Sequence, residues 1–183
     1  MAGSPRWSRI IVAGLVTGAV MVAVNKGGDG DSPSSRPSVV PSRIDIPSLG
    51  VKAPLMRLGV KDGQIELPPL DEPDTAGWLK ESAVPGDPGS AVILGHVDTK
   101  TDPAVFYKLK QMRAGQVIKV SRSDGKIAQY RVDSVEQVSK DRFPADKIYL
   151  EDGLRLITCG GNFDWDKHEY RDNVIVYATL VKT

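Results

Sequence analysis

"QVIKVSRSDGKIAQYRV" (116–132) is the stretch that decides the fold class. Two runs, QVIKVSR and KIAQYRV, alternate apolar and polar residues with the period of a half-buried strand. Between them stand Ser123, Asp124 and Gly125, and Asp-Gly suits a type I′ turn, so the spacing predicts a β-hairpin. The same pattern extends outward in both directions. "RIDI" (43–46) alternates and halts at Pro47, and "SAVILGHV" (90–97) is a buried apolar strand ending on a glycine and a histidine. "LRLITC" (154–159) and "NVIVYATLV" (173–181) complete the set. The connectors "LPPLDEPD" (67–74) and "VPGDPGS" (84–90) carry prolines that central strands exclude. One helix is expected, with Asp102 as N-cap, Pro103 at its first position, and Gly115 just past its end. Its buried face would carry Val105, Phe106, Leu109 and Met112. Many short strands with one or two minor helices make a mainly β protein, a barrel or a sandwich.

Charge and cysteine content narrow the function classes. The chain has 183 residues, with 24 Lys and Arg against 23 Asp and Glu, so no bulk field draws it to nucleic acid. A single cysteine excludes an intramolecular disulfide framework, and with only two histidines it argues against a structural zinc site. The acidic residues are scattered without an EF-hand spacing, and no metal or cofactor is expected.

The chain opens with a targeting pattern. Arg6, Trp7 and Arg9 precede "IIVAGLVTGAVMVAV" (10–24), an uncharged run that has signal-peptide length and is short for a spanning helix of about 20 residues. No small-x-small cleavage site follows it, and the arginines lie on its N-terminal side. We read residues 1–9 as a cytoplasmic N-terminus and 10–24 as an uncleaved transmembrane anchor, in preference to a removed signal peptide. Residues 25–41, with the Gly/Ser/Pro-rich "GGDGDSPSSRPSVVP" (27–41), then form a flexible linker. Residues 42–183 form the globular domain, held outside the cell membrane.

Three residues at strand ends carry the chemical signal. Cys159 closes "LRLITC" and passes into Gly160 and Gly161, which would let a substrate backbone approach closely. A lone cysteine is also often a buried small hydrophobe. His96 ends another strand, where it is either a core histidine bonded to Asp98 or the backbone, or the partner that a nucleophilic thiol needs. Arg171 starts the strand that follows the cysteine loop. If that strand is antiparallel to 154–159, Arg171 stands close to Cys159, where a fixed cation could stabilise an oxyanion. His168, in the polar run "DWDKHEY", reads as a solvated loop residue.

This constellation resembles the sortases, exported cysteine transpeptidases of Gram-positive bacteria. "LGHVD" supplies His96, "LITC" supplies Thr158 and Cys159, and "YRDNVIVYA" supplies Arg171. The similarity runs from about Ser42 to Thr183 and includes "RIDIPSLGVKAP", "AGWL" and "FYKLKQMRAGQVIKV". "LITCGGNFD" with "YRDNVIVYA" is most similar to the class F sortases of actinobacteria. The resemblance implies an eight-stranded sortase-type barrel, cleavage of an LPxTG-like signal between Thr and Gly, and transfer of the acyl group to an amine. It implies His96, Cys159 and Arg171 as the catalytic residues. The implied partners are secreted proteins with a C-terminal sorting signal and an amine acceptor such as lipid II or a peptidoglycan stem peptide. An L,D-transpeptidase also uses Cys and His at the cell wall, but places a histidine and glycine directly before the cysteine, where this chain has Ile157 and Thr158. A membrane-tethered β-barrel binding module with an inert cysteine is the non-enzymatic alternative.

Overall fold

The computed structural model describes residues 38–182. Their strands are β1 (Pro41–Ile46), β2 (Val51–Leu58), β3 (Val60–Lys61), β4 (Gln64–Ile65), β5 (Ala76–Leu79), β6 (Ser90–Leu94), β7 (Val117–Arg122), β8 (Ile127–Ser139), β9 (Gly153–Asp164) and β10 (Glu169–Leu180). A short helix, α1 (Ala145–Tyr149), crosses between β8 and β9. Eight strands close a barrel in the order β1-β2-β5-β6-β9-β10-β8-β7, while β3 and β4 pair as a small hairpin outside it. Closure removes the exposed edges that an open sheet would present. Two neighbour pairs are parallel, β2 with β5 and β6 with β9, and the rest are antiparallel.

The hairpin at 116–132 forms, with a turn other than the one expected. Gly125 N donates to Arg122 O at 3.1 Å and Arg122 N to Lys126 O at 2.9 Å. Gly125 is left-handed at φ +80°, and Asp124 is not among the non-glycine residues with positive φ. A type I′ turn needs both in that region, so this is a three-residue loop, a turn with a glycine bulge. Arg122 also binds Asp124, which holds that carboxyl below its usual range.

The helix expected between Asp102 as N-cap and Gly115 just past its end is absent, although its apolar face is correct. Phe106 and Leu109 are fully buried and Met112 nearly so. The first bond of that helix, Phe106 N to Asp102 O, is lost because Phe106 N goes to His96 O at 3.0 Å and Asp102 O accepts from Thr99 N at 2.8 Å, while Ala104 N and Val105 N bind Val97 O and Pro73 O. With those donors committed, only a single 3₁₀ turn remains, at Leu109–Gln111.

Alternation places the core on both faces of the central strands. Ala91 and Ile93 of β6, Leu154 and Leu156 of β9, and Val174 and Val176 of β10 fill the barrel interior. Val92, Leu94, Ile157, Cys159, Ile175 and Tyr177 form an outer cluster, which Ile148 of α1 also joins. Burial on both faces explains why β6 and β9 read as continuous apolar runs. Buried Arg155 secures the approach to β9, donating to the carbonyls of Lys147, Glu151 and Asp152.

The first strand begins at Pro41, one residue into the span read as linker, and Val40 exchanges hydrogen bonds with Ser123. The run at 10–24 lies outside the described residues. Among those described, no helix is long and apolar enough to cross a membrane.

Candidate active site

The site follows from two strand pairings. In the parallel pair of β6 and β9, Leu94 stands opposite Ile157, and Gly95 N donates to Ile157 O at 3.1 Å. Two residues beyond that pair, on the same outer face, come His96 and Cys159. Both line one narrow cavity of about 30 Å³, together with Asp98, His168 and Tyr170. Cys159 also lines a wider cleft of about 360 Å³, which shares Val97, Asp98 and Tyr170 with the first. Residues 63 positions apart in sequence therefore meet because their strands are neighbours.

His96 is buried and held from two sides. Its Nε2 lies 2.7 Å from the carbonyl of Pro68. A carbonyl only accepts, so Nε2 carries the proton in this contact, which leaves Nδ1 as the other ring nitrogen. The His96 carbonyl accepts from Phe106 N. Gly95 permits that approach, since a Cβ there would meet the Phe106 ring at 2.6 Å. The partner of His96 is thus the backbone and not Asp98.

Asp98 instead accepts from the phenol of Tyr170, which ties the loop after β6 to β10. Both residues line both cavities. Burial, and then the Asp98 carboxylate, push the Tyr170 phenol well above its ordinary range. Tyr170 stacks edge-on against Phe163, and Phe163 against Trp165, so an aromatic wall flanks the thiol.

The two glycines after Cys159 have packing roles beyond the one expected of them. A Cβ on Gly160 would meet Val174 Cγ2 at 2.7 Å. Gly161 has φ +75°, and a Cβ there would sit 2.2 Å from Asp172 Oδ2. The register passes from Asp172↔Gly160 to Tyr170↔Phe163, so β9 carries one extra residue. That is a bulge with glycine at its left-handed position.

Arg171 sits opposite this bulge, and its guanidinium lies 3.1 Å from Asp164 Oδ2 with the side chain two-thirds exposed. Backbone donation from Lys167, and then Arg171, hold the Asp164 carboxyl below its usual range. Arg171 lines neither cavity at Cys159. The structure brings His96 and Cys159 together and turns Arg171 toward Asp164. His168, expected as a solvated loop residue, is exposed yet lines the narrow cavity at φ +54°. Among the described residues, no group of three or more His, Cys, Asp or Glu is placed to hold a metal ion.

A closed eight-stranded barrel brings a cysteine and a histidine from adjacent parallel strands into one cavity, an arrangement suited to a thiol nucleophile with an imidazole partner. The Sortase domain family matches residues 44–181, and the chain belongs to that family of cysteine transpeptidases. Membership sets aside the L,D-transpeptidase alternative. The fold is similar to sortase C-1 from Actinomyces oris, at 25% identity and TM-score 0.60, covering 78% of this chain and 74% of that one. It is also similar to a Clostridium perfringens sortase D5 transpeptidase, at 23% identity and TM-score 0.57, over 78% and 79% of the two chains. Sortase A from Corynebacterium diphtheriae aligns at 22% identity and TM-score 0.60, over 79% of this chain and 61% of that one. No curated protein sequence matches.

Proposed function

We propose that this protein is a class F sortase that cleaves an LPxTG-like sorting signal between Thr and Gly and passes the acyl fragment to a cell-wall amine. The observation that carries the reading is that the β6–β9 register brings His96, two residues past the end of β6, beside Cys159, which lies inside β9 and not at a strand end as expected, with both lining one cavity. The class assignment rests on "LITCGGNFD" and "YRDNVIVYA".

Cys159 attacks the threonine carbonyl as thiolate, forming a C–S bond and a tetrahedral oxyanion. A thiol with an ordinary pKa of about 8.5 is helped into that form by a neighbouring imidazolium. Collapse breaks the C–N bond, and His96 Nδ1 supplies the proton that the departing glycine amine takes. The thioester then meets an incoming amine, which yields its proton to His96 as the C–N bond forms and the thiolate leaves. Arg171 binds the oxyanion after exchanging Asp164 for substrate, a role suited to a guanidinium that stays charged at every working pH.

The uncharged run at 10–24 anchors the enzyme in the membrane, with the N-terminus cytoplasmic and residues 42–183 outside. A substrate tethered in the same layer meets the enzyme at raised effective concentration, which offsets weak affinity for a short peptide. The acceptor is lipid II or a peptidoglycan stem peptide. Incubating the protein with LPxTG-like peptides and candidate amines, with transfer products read by mass spectrometry, tests this reading. Cleavage with transfer is expected, and an unreacted peptide pool would overturn it.

A further inference from the structure

Asn173 is the residue directly across from Cys159 in the antiparallel pair of β9 and β10. It is fully buried, and neither its amide nitrogen nor its amide oxygen has a hydrogen-bond partner among the protein groups. Along β10, Val174, Val176 and Ala178 face the barrel interior, whereas Ile175 and Tyr177 face the outer cluster that contains Cys159. By alternation Asn173 faces outward with Cys159, and directly opposed residues hold their Cβ atoms about 4.5–5.5 Å apart. A buried amide without partners is costly, and a valine would fill a strand position at lower cost. A group that accepts strongly in only one of its states removes the contradiction. A neutral thiol is a weak acceptor, while a thiolate is an anion that accepts hydrogen bonds readily.

We propose that Asn173 is a positioning residue for Cys159, its side-chain Nδ2–H donating to Sγ when the thiol ionises and so favouring the thiolate. The inference rests on the reading of Cys159 as the nucleophile. The titratable and charged groups around the thiol in the narrow cavity are His96, Asp98, Lys100, His168, Glu169 and Tyr170. In the wider cleft they are Tyr107 and Lys110, along with Asp98 and Tyr170 again. None of them is altered by a change at position 173, so a shift on substitution reports the amide.

The test compares Asn173→Val with Asn173→Thr, two side chains of nearly one shape that differ in a hydroxyl donor. The readout is the pH midpoint of Cys159 alkylation by iodoacetamide in the folded protein, with thermal melting alongside. The valine variant should move the midpoint up by about one pH unit, the scale of one hydrogen bond to the charged form. The threonine variant should restore most of that shift. Asn173→Val should also melt no lower than wild type, because it removes an unpartnered buried amide. Equal midpoints in all three proteins, or equal shifts in both variants, would overturn the proposal. So would a valine variant that unfolds or melts lower, since the amide would then have a structural partner. Peptide turnover by the wild-type protein, measured on the same preparation, decides the underlying reading separately.

Discussion

Gly161→Ala separates two costs that the bulge after Cys159 combines. The first is conformational: at φ +75° an L-residue in the left-handed region costs about 1–2 kcal/mol. The second is steric, because the new Cβ would stand 2.2 Å from Asp172 Oδ2 and 2.7 Å from its Cγ. Asp172 must therefore move, and it accepts from Gln137 Nε2 at 2.7 Å on the neighbouring strand. Losing that exposed hydrogen bond adds about 1 kcal/mol. The sum, about 2–3 kcal/mol, corresponds to a fall of roughly 4–12 °C in melting temperature for a domain of this size. Gly125→Ala is the control, since Gly125 has φ +80° and open space around its Cβ position. It should lose only the conformational part, about 1–2 kcal/mol. In an Asp172→Ala background the Oδ2 and Cγ contacts vanish and only the Cβ contact at 3.0 Å remains, so Gly161→Ala should fall close to the cost of Gly125→Ala. Thermal melts of the four variants decide this. Equal losses at Gly161 and Gly125, or a loss at Gly161 that persists without Asp172, would refute the steric argument.

Tyr149 is raised to about 12 by burial. Its folded value lies above the ordinary 10, so its contribution to stability is complete below pH 10 and is lost as pH climbs toward 12. Tyr149→Phe should weaken that alkaline limb in melts followed from pH 9 to 12, and an unchanged limb would contradict it. Arg171→Ala should fold normally yet lose about 10²–10³ in turnover, as when an oxyanion donor is removed, with Arg171→Lys recovering only part. His168→Ala should keep most activity, and an inactive His168→Ala beside an active His96→Ala would reverse the assignment of the histidine. A chain starting at Ser42 should melt below one starting at Ser38, because it loses the Val40–Ser123 hydrogen bonds and the packing of Val40. Identical melts would show that this edge adds nothing.

The parts of the fold legible in the sequence are those where local pattern and tertiary burial agree. β7 and β8 alternate, and β6, β9 and the second half of β10 are apolar on both faces, so each declares itself. β2 and β5 do not. Pro54 interrupts β2, tolerated where it faces Arg43 of β1 because pairing with β5 begins only at Leu55. β5 has four residues and contains Gly77, whose Cβ would collide with Leu58 at 2.2 Å. The expected helix failed because Phe106 N bonds His96 O, Asp102 O accepts from Thr99 N, and Val105 N reaches back to Pro73 O, a contact that no local window contains. His96 and Cys159 were visible as unusual residues closing apolar runs, although β9 continues past Cys159 to Asp164. Asp98, Tyr170 and Asn173 gave no such signal, since their roles arise from pairings across the barrel. Tyr170 and Asp98 are 72 residues apart. The pairing of Arg171 with Asp164 was hidden for a related reason: the bulge at Gly161 alters the register there.

The central claim is that Cys159 forms a thioester with the sorting signal, assisted by His96. The direct measurement is intact-protein mass spectrometry after incubation with LPxTG-like peptides and no added amine. The account predicts an adduct on Cys159 equal to the peptide through its threonine, with the glycine-led tail released and the adduct discharged on adding an amine. Cys159→Ala and His96→Ala should form none. Cleavage that persists in Cys159→Ala, or an adduct carried by another residue, would contradict the account.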